Sequence, residues 1–201
     1  QLIRLEPSSR ADVFMRIYNP DGSESGACGN ATRCVAQLLG GRATIETVAG
    51  LLHAEPDGAD ITVDMGAPRF DWEEIPLAYP VDTRDMPVAW GQLERPAAVN
   101  MGNPHVVFFV PDAAAIALDS LGPEIEHDPL FPERVNVNVA SRLAPDHLQL
   151  RVWERGAGLT LACGSGACAT FAAARRRGLV GPAATISLPG GDLRISESGT
   201  G

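Results

Sequence analysis

Two of the four cysteines in this chain stand in near-duplicate settings, Ala27-Cys28-Gly29-Asn30-Ala31-Thr32 and Ala162-Cys163-Gly164-Ser165-Gly166-Ala167. Each follows a loop and opens an apolar run. Paired thiols suit the inversion of a carbon stereocentre. One removes a proton from one face while the other delivers a proton to the opposite face, and the same pair with its protons exchanged runs the reverse reaction.

Cys28 opens the stretch Gly29–Leu39, closed by Gly40-Gly41, and Cys163 opens Gly164–Arg177, closed by Gly178. Small residues leading in and glycine leading out predict two helices. A helix N-terminus carries about +0.5 of an elementary charge and several unpaired N–H groups. That field is expected to lower a thiol pKa towards neutrality, and the same N–H groups can hold a carboxylate. The competing reading of any free cysteine is a small buried hydrophobe. Cys34 and Cys168, set among Val35, Ala36, Ala169 and Phe171, fit that reading. The pairs Cys28/Cys34 and Cys163/Cys168 are spaced more widely than the about two to four residues usual between zinc ligands. No C-x-x-C redox motif occurs. The duplication singles out Cys28 and Cys163, and no metal is called for.

The elements that must position these cysteines alternate in character. Leu2–Glu6, Asp12–Tyr18, Ala43–Val48, Leu51–Glu55 and Ile61–Met65 read as strands around the first helix. Val106–Val110, Val135–Ala140, Leu148–Glu154, Thr185–Leu188 and Leu193–Ser196 read as strands around the second. Between them Gly66 to Pro96, with five prolines and clustered charge, reads as a crossover poor in core residues. Ala113–Leu118 reads as a short extra helix capped by Asp112. The pattern is an α+β chain built by internal duplication, with an N-terminal half over 1–72 and a crossover and C-terminal half over 73–201.

Composition narrows the function. A chain of 201 residues, 45% hydrophobic, can bury a real core in one large or two small domains. Its net charge of −9 argues against nucleic acid or anionic membrane as partner. No apolar run approaches the length of a membrane span, and no signal-peptide pattern opens the chain. Four cysteines do not make a disulfide scaffold at this length, so a reducing cytoplasm is expected. All 16 basic residues are arginine. Without lysine the chain cannot hold pyridoxal phosphate as a Schiff base or form a Walker-type phosphate loop.

Three stretches together carry a family resemblance. Tyr18-Asn19-Pro20-Asp21-Gly22-Ser23-Glu24 runs into Cys28-Gly29-Asn30. Met101-Gly102-Asn103-Pro104-His105 follows, and then Glu154-Arg155-Gly156 runs into Ala162-Cys163-Gly164-Ser165-Gly166. In this order, over nearly the whole chain, they resemble diaminopimelate epimerase. The resemblance implies a cofactor-independent enzyme that interconverts L,L- and meso-2,6-diaminopimelate through a thiol/thiolate pair, a step towards lysine and peptidoglycan precursors. It also implies two pseudo-symmetric domains, each a mixed sheet curled into a barrel around a central helix, with the cysteine helices facing across a cleft. A homodimer is compatible with it.

By the same resemblance Gln1, Asn19, Asn30, Asn103, Asn136, Glu154 and Arg155 bind substrate together with Gly29, Gly164 and Ser165 at the helix starts. His105 stands behind them to tune a thiol. By residue type alone, adjacent Glu and Arg more often form a solvated surface pair, a lone asparagine is a turn residue, and His105 reads equally well as a satisfied core histidine. A planar guanidinium fork suits a carboxylate, a glutamate suits an ammonium, and amides fix a zwitterion without adding charge. The resemblance further implies strand and ligand residues ahead of Gln1 and another strand beyond Gly201, so the N-terminal half reads as truncated at its start. The alternatives are a proline- or hydroxyproline-type racemase using the same cysteine pair, disfavoured by Glu154-Arg155, and an inactive truncated relative acting as a binding module with ordinary thiols.

Overall fold

The computed structural model describes residues 1–19, 21–26 and 28–197; Pro20, Ala27 and the terminus from Ser198 to Gly201 lie outside them. Alternation drives the first part of the chain: Val13, Met15 and Ile17 are buried while Phe14, Arg16 and Tyr18 are only partly covered, as one face of a strand requires. In chain order come β1 (Leu2–Glu6), β2 (Val13–Tyr18), β3 (Glu24–Ser25), α1 (Gly29–Leu38), β4 (Ala43–Thr47), β5 (Gly50–Asp57) and β6 (Asp60–Asp64). Next are β7 (Ala89–Trp90), β8 (Leu93–Glu94), β9 (Ala97–Asn100), β10 (Pro104–Phe109) and α2 (Leu118–Glu126). The chain continues through β11 (Asn136–Ala144), β12 (His147–Glu154), β13 (Gly158–Thr160), α3 (Gly164–Arg176), β14 (Ala183–Leu188) and β15 (Gly191–Ser196). All ten expected strands form; the short β3, β7, β8, β9 and β13 are additional.

The duplication is explicit in the pairings. In the first sheet β1 pairs antiparallel with β2, β3 adds to β2, α1 follows, β4 returns parallel to β2, and β5 pairs antiparallel with β4. In the second, β11, β12, β13, α3, β14 and β15 repeat those relations in the same order. A parallel return needs a crossover, and the cysteine helix is that crossover in each half. Beyond the repeat, β6 extends the first sheet, and β10 and β9 extend the second. Both sheets are mixed and lie against their own helix. Among the described strands neither sheet closes into a barrel.

Two sequence expectations fail for tertiary reasons. The segment between the halves is no poor core sequence. Ile75, Leu77, Met86, Trp90 and Leu93 join Val106, Phe108, Ile125 and Val137 in the largest apolar cluster. Most of its charges and Pro68, Pro80 and Pro87 face outward, while its widely spaced apolar residues join the core. The extra helix is also displaced. Asp112 Oδ1 accepts from the Ala114 amide in a turn (2.8 Å), and the helix forms over Leu118–Glu126 instead. Gly122 and Pro123 look like breakers there, but a Cβ on Gly122 would stand 2.9 Å from the Trp153 Cβ, so the packing requires glycine. Among the described residues no helix is long and apolar enough to cross a membrane.

Candidate active site

Both cysteines cap helices, and they do so alike. Cys28 has φ −151° and ψ 98°, and its sulfur accepts from the Ala31 amide (3.5 Å). Cys163 has φ −142° and ψ 106°, and its sulfur accepts from the Gly166 amide (3.3 Å). Sulfur thus takes the place of the oxygen that normally caps a helix. The two helices meet N-terminus to N-terminus. A Cβ on Gly164 would lie 2.9 Å from the Gly29 Cα, and one on Gly29 would lie 3.2 Å from the Gly164 Cα. Only glycine at both positions permits that approach. Two positive helix ends in contact are electrostatically unfavourable, and an anion held between them relieves the repulsion.

Electrostatics correct one expectation. The thiols are not lowered towards neutrality. Burial pushes Cys28 up, against the Ala31 and Asn30 amides that favour its thiolate. Cys163 is more deeply enclosed and is pushed up further, with Glu154 adding to the effect. Desolvation outweighs the helix field in the free protein. The carboxyl of Glu154 is raised by burial too, while bonds from Thr160 Oγ1 (2.6 Å) and from Cys163 favour its ionised form. Its charge reaches both thiols.

The other expected residues gather around this pair to different degrees. Asn30 Nδ2 donates to the Ala162 carbonyl (3.3 Å), tying the first helix start to the second cysteine loop. Asn19 is buried; its Oδ1 accepts from Gln1 Nε2 (2.8 Å) and its Nδ2 donates to Ser23 Oγ (3.2 Å). Asn103 Nδ2 donates to Ser165 Oγ (3.3 Å), which lies 3.6 Å from the Cys163 sulfur. His105 is fully buried with its Nε2 at 2.9 Å from Asn103 Oδ1, and burial lowers its pKa to about 3. Asn136 donates to the Pro104 carbonyl (2.8 Å) and accepts from the Arg155 amide (3.0 Å), so its amide braces the loops that carry Asn103 and Arg155. Arg155 is half-buried, and one arm of its fork donates to the Glu133 carbonyl (2.9 Å).

The remaining cysteines divide. Cys168 packs beside Val99, Met101 and Val107, and burial pushes its thiol up to about 12. Cys34 is exposed, contrary to expectation, because α1 buries the face bearing Thr32, Val35 and Ala36.

A family model described as diaminopimelate epimerase matches residues 1–70 and 97–201. The diaminopimelate epimerase of Sphingopyxis alaskensis is 67% identical over 195 residues, covering 97% of this chain and 73% of its own. That of Rhizorhabdus wittichii is 63% identical, covering 97% and 71%. This chain belongs to the diaminopimelate epimerase family. Among solved structures, a hydroxyproline epimerase from Agrobacterium vitis with bound trans-4-hydroxy-L-proline superposes with a TM-score of 0.73 at 20% identity. A probable proline racemase from Agrobacterium radiobacter K84 gives 0.72 at 18%. This chain spans 66% of the length of each, and at such identity the likeness is one of fold.

Two residues of this chain stand outside the set expected from its motifs. Glu126, buried at the end of α2, accepts from Trp153 Nε1 (2.7 Å) and from the Gly156 amide (3.0 Å). It thereby clamps the turn that presents Glu154 and Arg155. Its Pro-Glu-Ile-Glu-His context reads as surface, so the sequence carried no signal. Asn138 is fully buried and its Nδ2 lies 3.0 Å from His105 Nδ1. Here a signal existed: in Val135-Asn136-Val137-Asn138-Val139 the strand period of two puts Asn138 on the face of Asn136.

Proposed function

We propose that this chain carries the catalytic centre of a cofactor-independent epimerase that interconverts L,L- and meso-2,6-diaminopimelate, with Cys28 and Cys163 as its two acid–base groups. The observation that carries the reading is the head-on meeting of two cysteine-capped helices at Gly29 and Gly164. A substrate α-carboxylate seated at the joint N-termini would sit with its α-carbon between the two sulfurs. The thiolate on one side takes the α-proton and becomes a thiol. The electron pair left on carbon is held by the carboxylate under the helix N–H groups, and the thiol on the other side gives its proton to the opposite face. Product leaves with the protonation of the pair exchanged, so turnover in the opposite direction restores it.

The charged neighbours support a substrate with two charged ends. On this reading Glu154, whose charge reaches both thiols, receives an ammonium, and the Arg155 fork receives the distal carboxylate. Asn19, Asn30 and Asn103, with Gln1 behind Asn19, supply neutral donors and acceptors, and Gly29, Gly164 and Ser165 supply the anion cradle. Incubation with L,L-diaminopimelate in deuterium oxide tests the reading. Each inverted α-carbon should gain one solvent deuteron. Inversion without deuterium uptake, or no inversion by folded protein, would overturn it.

A further inference from the structure

The hydrogen bonds behind Cys163 have a direction. Asn138 Nδ2 can only donate, so His105 Nδ1, 3.0 Å away, must accept. A neutral imidazole with an accepting Nδ1 carries its proton on Nε2, which then donates to Asn103 Oδ1 (2.9 Å). That leaves Asn103 Nδ2 to donate to Ser165 Oγ (3.3 Å), and the Ser165 hydroxyl proton is free to turn to the Cys163 sulfur (3.6 Å). Every link in the chain is consistent with the one before it.

We propose that Asn138 is a positioning residue for the epimerisation: by donating to His105 it fixes the Nε2–H tautomer and so directs a line of donors through Asn103 and Ser165 onto the sulfur of Cys163. This assignment rests on the acid–base role of Cys163 given above. Two further observations support it. Asn138 is 0% exposed and its Oδ1 finds no donor among the described residues, so the side chain is retained at a cost for what its NH₂ group does. That oxygen also occupies the space a side chain on Gly166 would need, since a Cβ there would stand 2.9 Å from it. The second glycine of Gly164-Ser165-Gly166 is thus what admits Asn138 behind the cysteine.

Among the described residues the line has no counterpart on the other face. The residue two after Cys28 is Asn30, whose amide is engaged by the Ala162 carbonyl and by Arg33 (2.6 Å). The two thiols, alike in their helix caps, are therefore unlike in their side-chain donors. Besides Ser165 on its own helix, Cys163 faces the carboxyl of Glu154 from β12 and the thiol of Cys28 from the start of α1. Both disfavour its thiolate, and the Ser165 hydroxyl opposes them.

Nitrogen-15 NMR of histidine-labelled protein, without substrate, reads the tautomer directly. Wild-type His105 should be the neutral Nε2–H form across about pH 5–8, and an Nδ1–H or doubly protonated ring would overturn the assignment. In Asn138→Asp the carboxylate can only accept, so Nδ1 must become protonated; an unchanged ring again overturns it. Asn138→Leu keeps the volume and removes the donor. In both variants kcat/KM should fall about tenfold or more, and the limb of the pH profile assigned to Cys163 should move up by about one unit. Folded variants with a lowered plateau but an unmoved profile would reduce Asn138 to packing. The NMR arm needs no turnover, so failure of the epimerase reading itself would appear separately, as wild-type protein with the stated tautomer and no activity.

Discussion

The contact between the two helix starts can be tested by adding a single methyl group. In Gly164→Ala the new Cβ would stand 2.9 Å from the Gly29 Cα, a backbone atom that cannot swing aside. Carbon atoms sit comfortably at about 3.5–4.0 Å, so the helix ends must part by about 0.6–1 Å. Gly164 is not among the glycines with positive φ, so alanine suits its backbone. The stability cost is that of overpacking, about 1–3 kcal/mol, offset by about 1 kcal/mol from the better helix former. Misplacing reacting groups by 1 Å costs about 10²-fold in rate. The expectation is a folded protein with a slightly lowered melting temperature and activity reduced about 10²-fold. Gly29→Ala, whose Cβ would stand 3.2 Å from the Gly164 Cα, should lose less, about tenfold or under. Melting curves and initial rates with L,L-diaminopimelate read both effects. If Gly164→Ala keeps more than about half of wild-type activity, the helix ends need not touch for catalysis and the placement of substrate between them is wrong.

The other expected outcomes concern the thiols and the distal end. Cys28→Ala and Cys163→Ala should each cut activity by about 10²–10⁴-fold, while Cys34→Ala and Cys168→Ala keep most of it; four variants of equal rate would mean the wrong pair has been chosen. The kcat/KM profile should be a bell, because the pair needs one thiolate and one thiol. Burial raises both, so the acid limb falls above neutrality as thiolate is lost with falling pH. His105, lowered to about 3, should add no inflection near its ordinary value, and a limb close to pH 6.5 would contradict this. In free protein near neutral pH, iodoacetamide should label exposed Cys34 first and the buried Cys163 last, with half-buried Cys168 held back by its raised thiol; prior labelling of Cys163 would mean that the helix field prevails over desolvation. Arg155→Lys keeps the charge but loses the planar fork, so KM for diaminopimelate should rise markedly; an unchanged KM would remove Arg155 as the distal anchor.

Much of this arrangement is legible in the residues. Both cysteine helices follow from a small residue leading in and glycine leading out, and the strands from their period of two. What local pattern cannot supply is the packing that decides α2. Gly122-Pro123 reads as a stop, yet Trp153 from a strand far along the chain requires glycine at that point. Similarly Ile75, Met86 and Leu93 lie among prolines and charges with no period, and only the sheet they cover gives them a common face. Glu126 shows the same limit at the site. Its partners Trp153 and Gly156 are remote in sequence, and an acidic residue between isoleucine and histidine gives no hint of them.

The raised thiols are the departure with the most chemical content. A carbon acid next to an amino group is a far weaker acid than any thiol, so the base that removes its proton benefits from a high pKa provided that it is ionised when needed. Burial supplies the basicity. The amides of Ala31 and Gly166 hold the sulfurs in the caps without having to ionise them in advance. On the proposed reading the missing positive charge arrives with the substrate: its ammonium group meets Glu154, whose carboxylate otherwise opposes both thiolates. Neutralising that one side chain favours ionisation at both sulfurs at once, while the carboxylate at the helix ends discharges the repulsion between their dipoles. The site is thus poised to form its base on binding. That accounts for a carboxyl whose charge reaches both thiols and, before substrate binds, works against them.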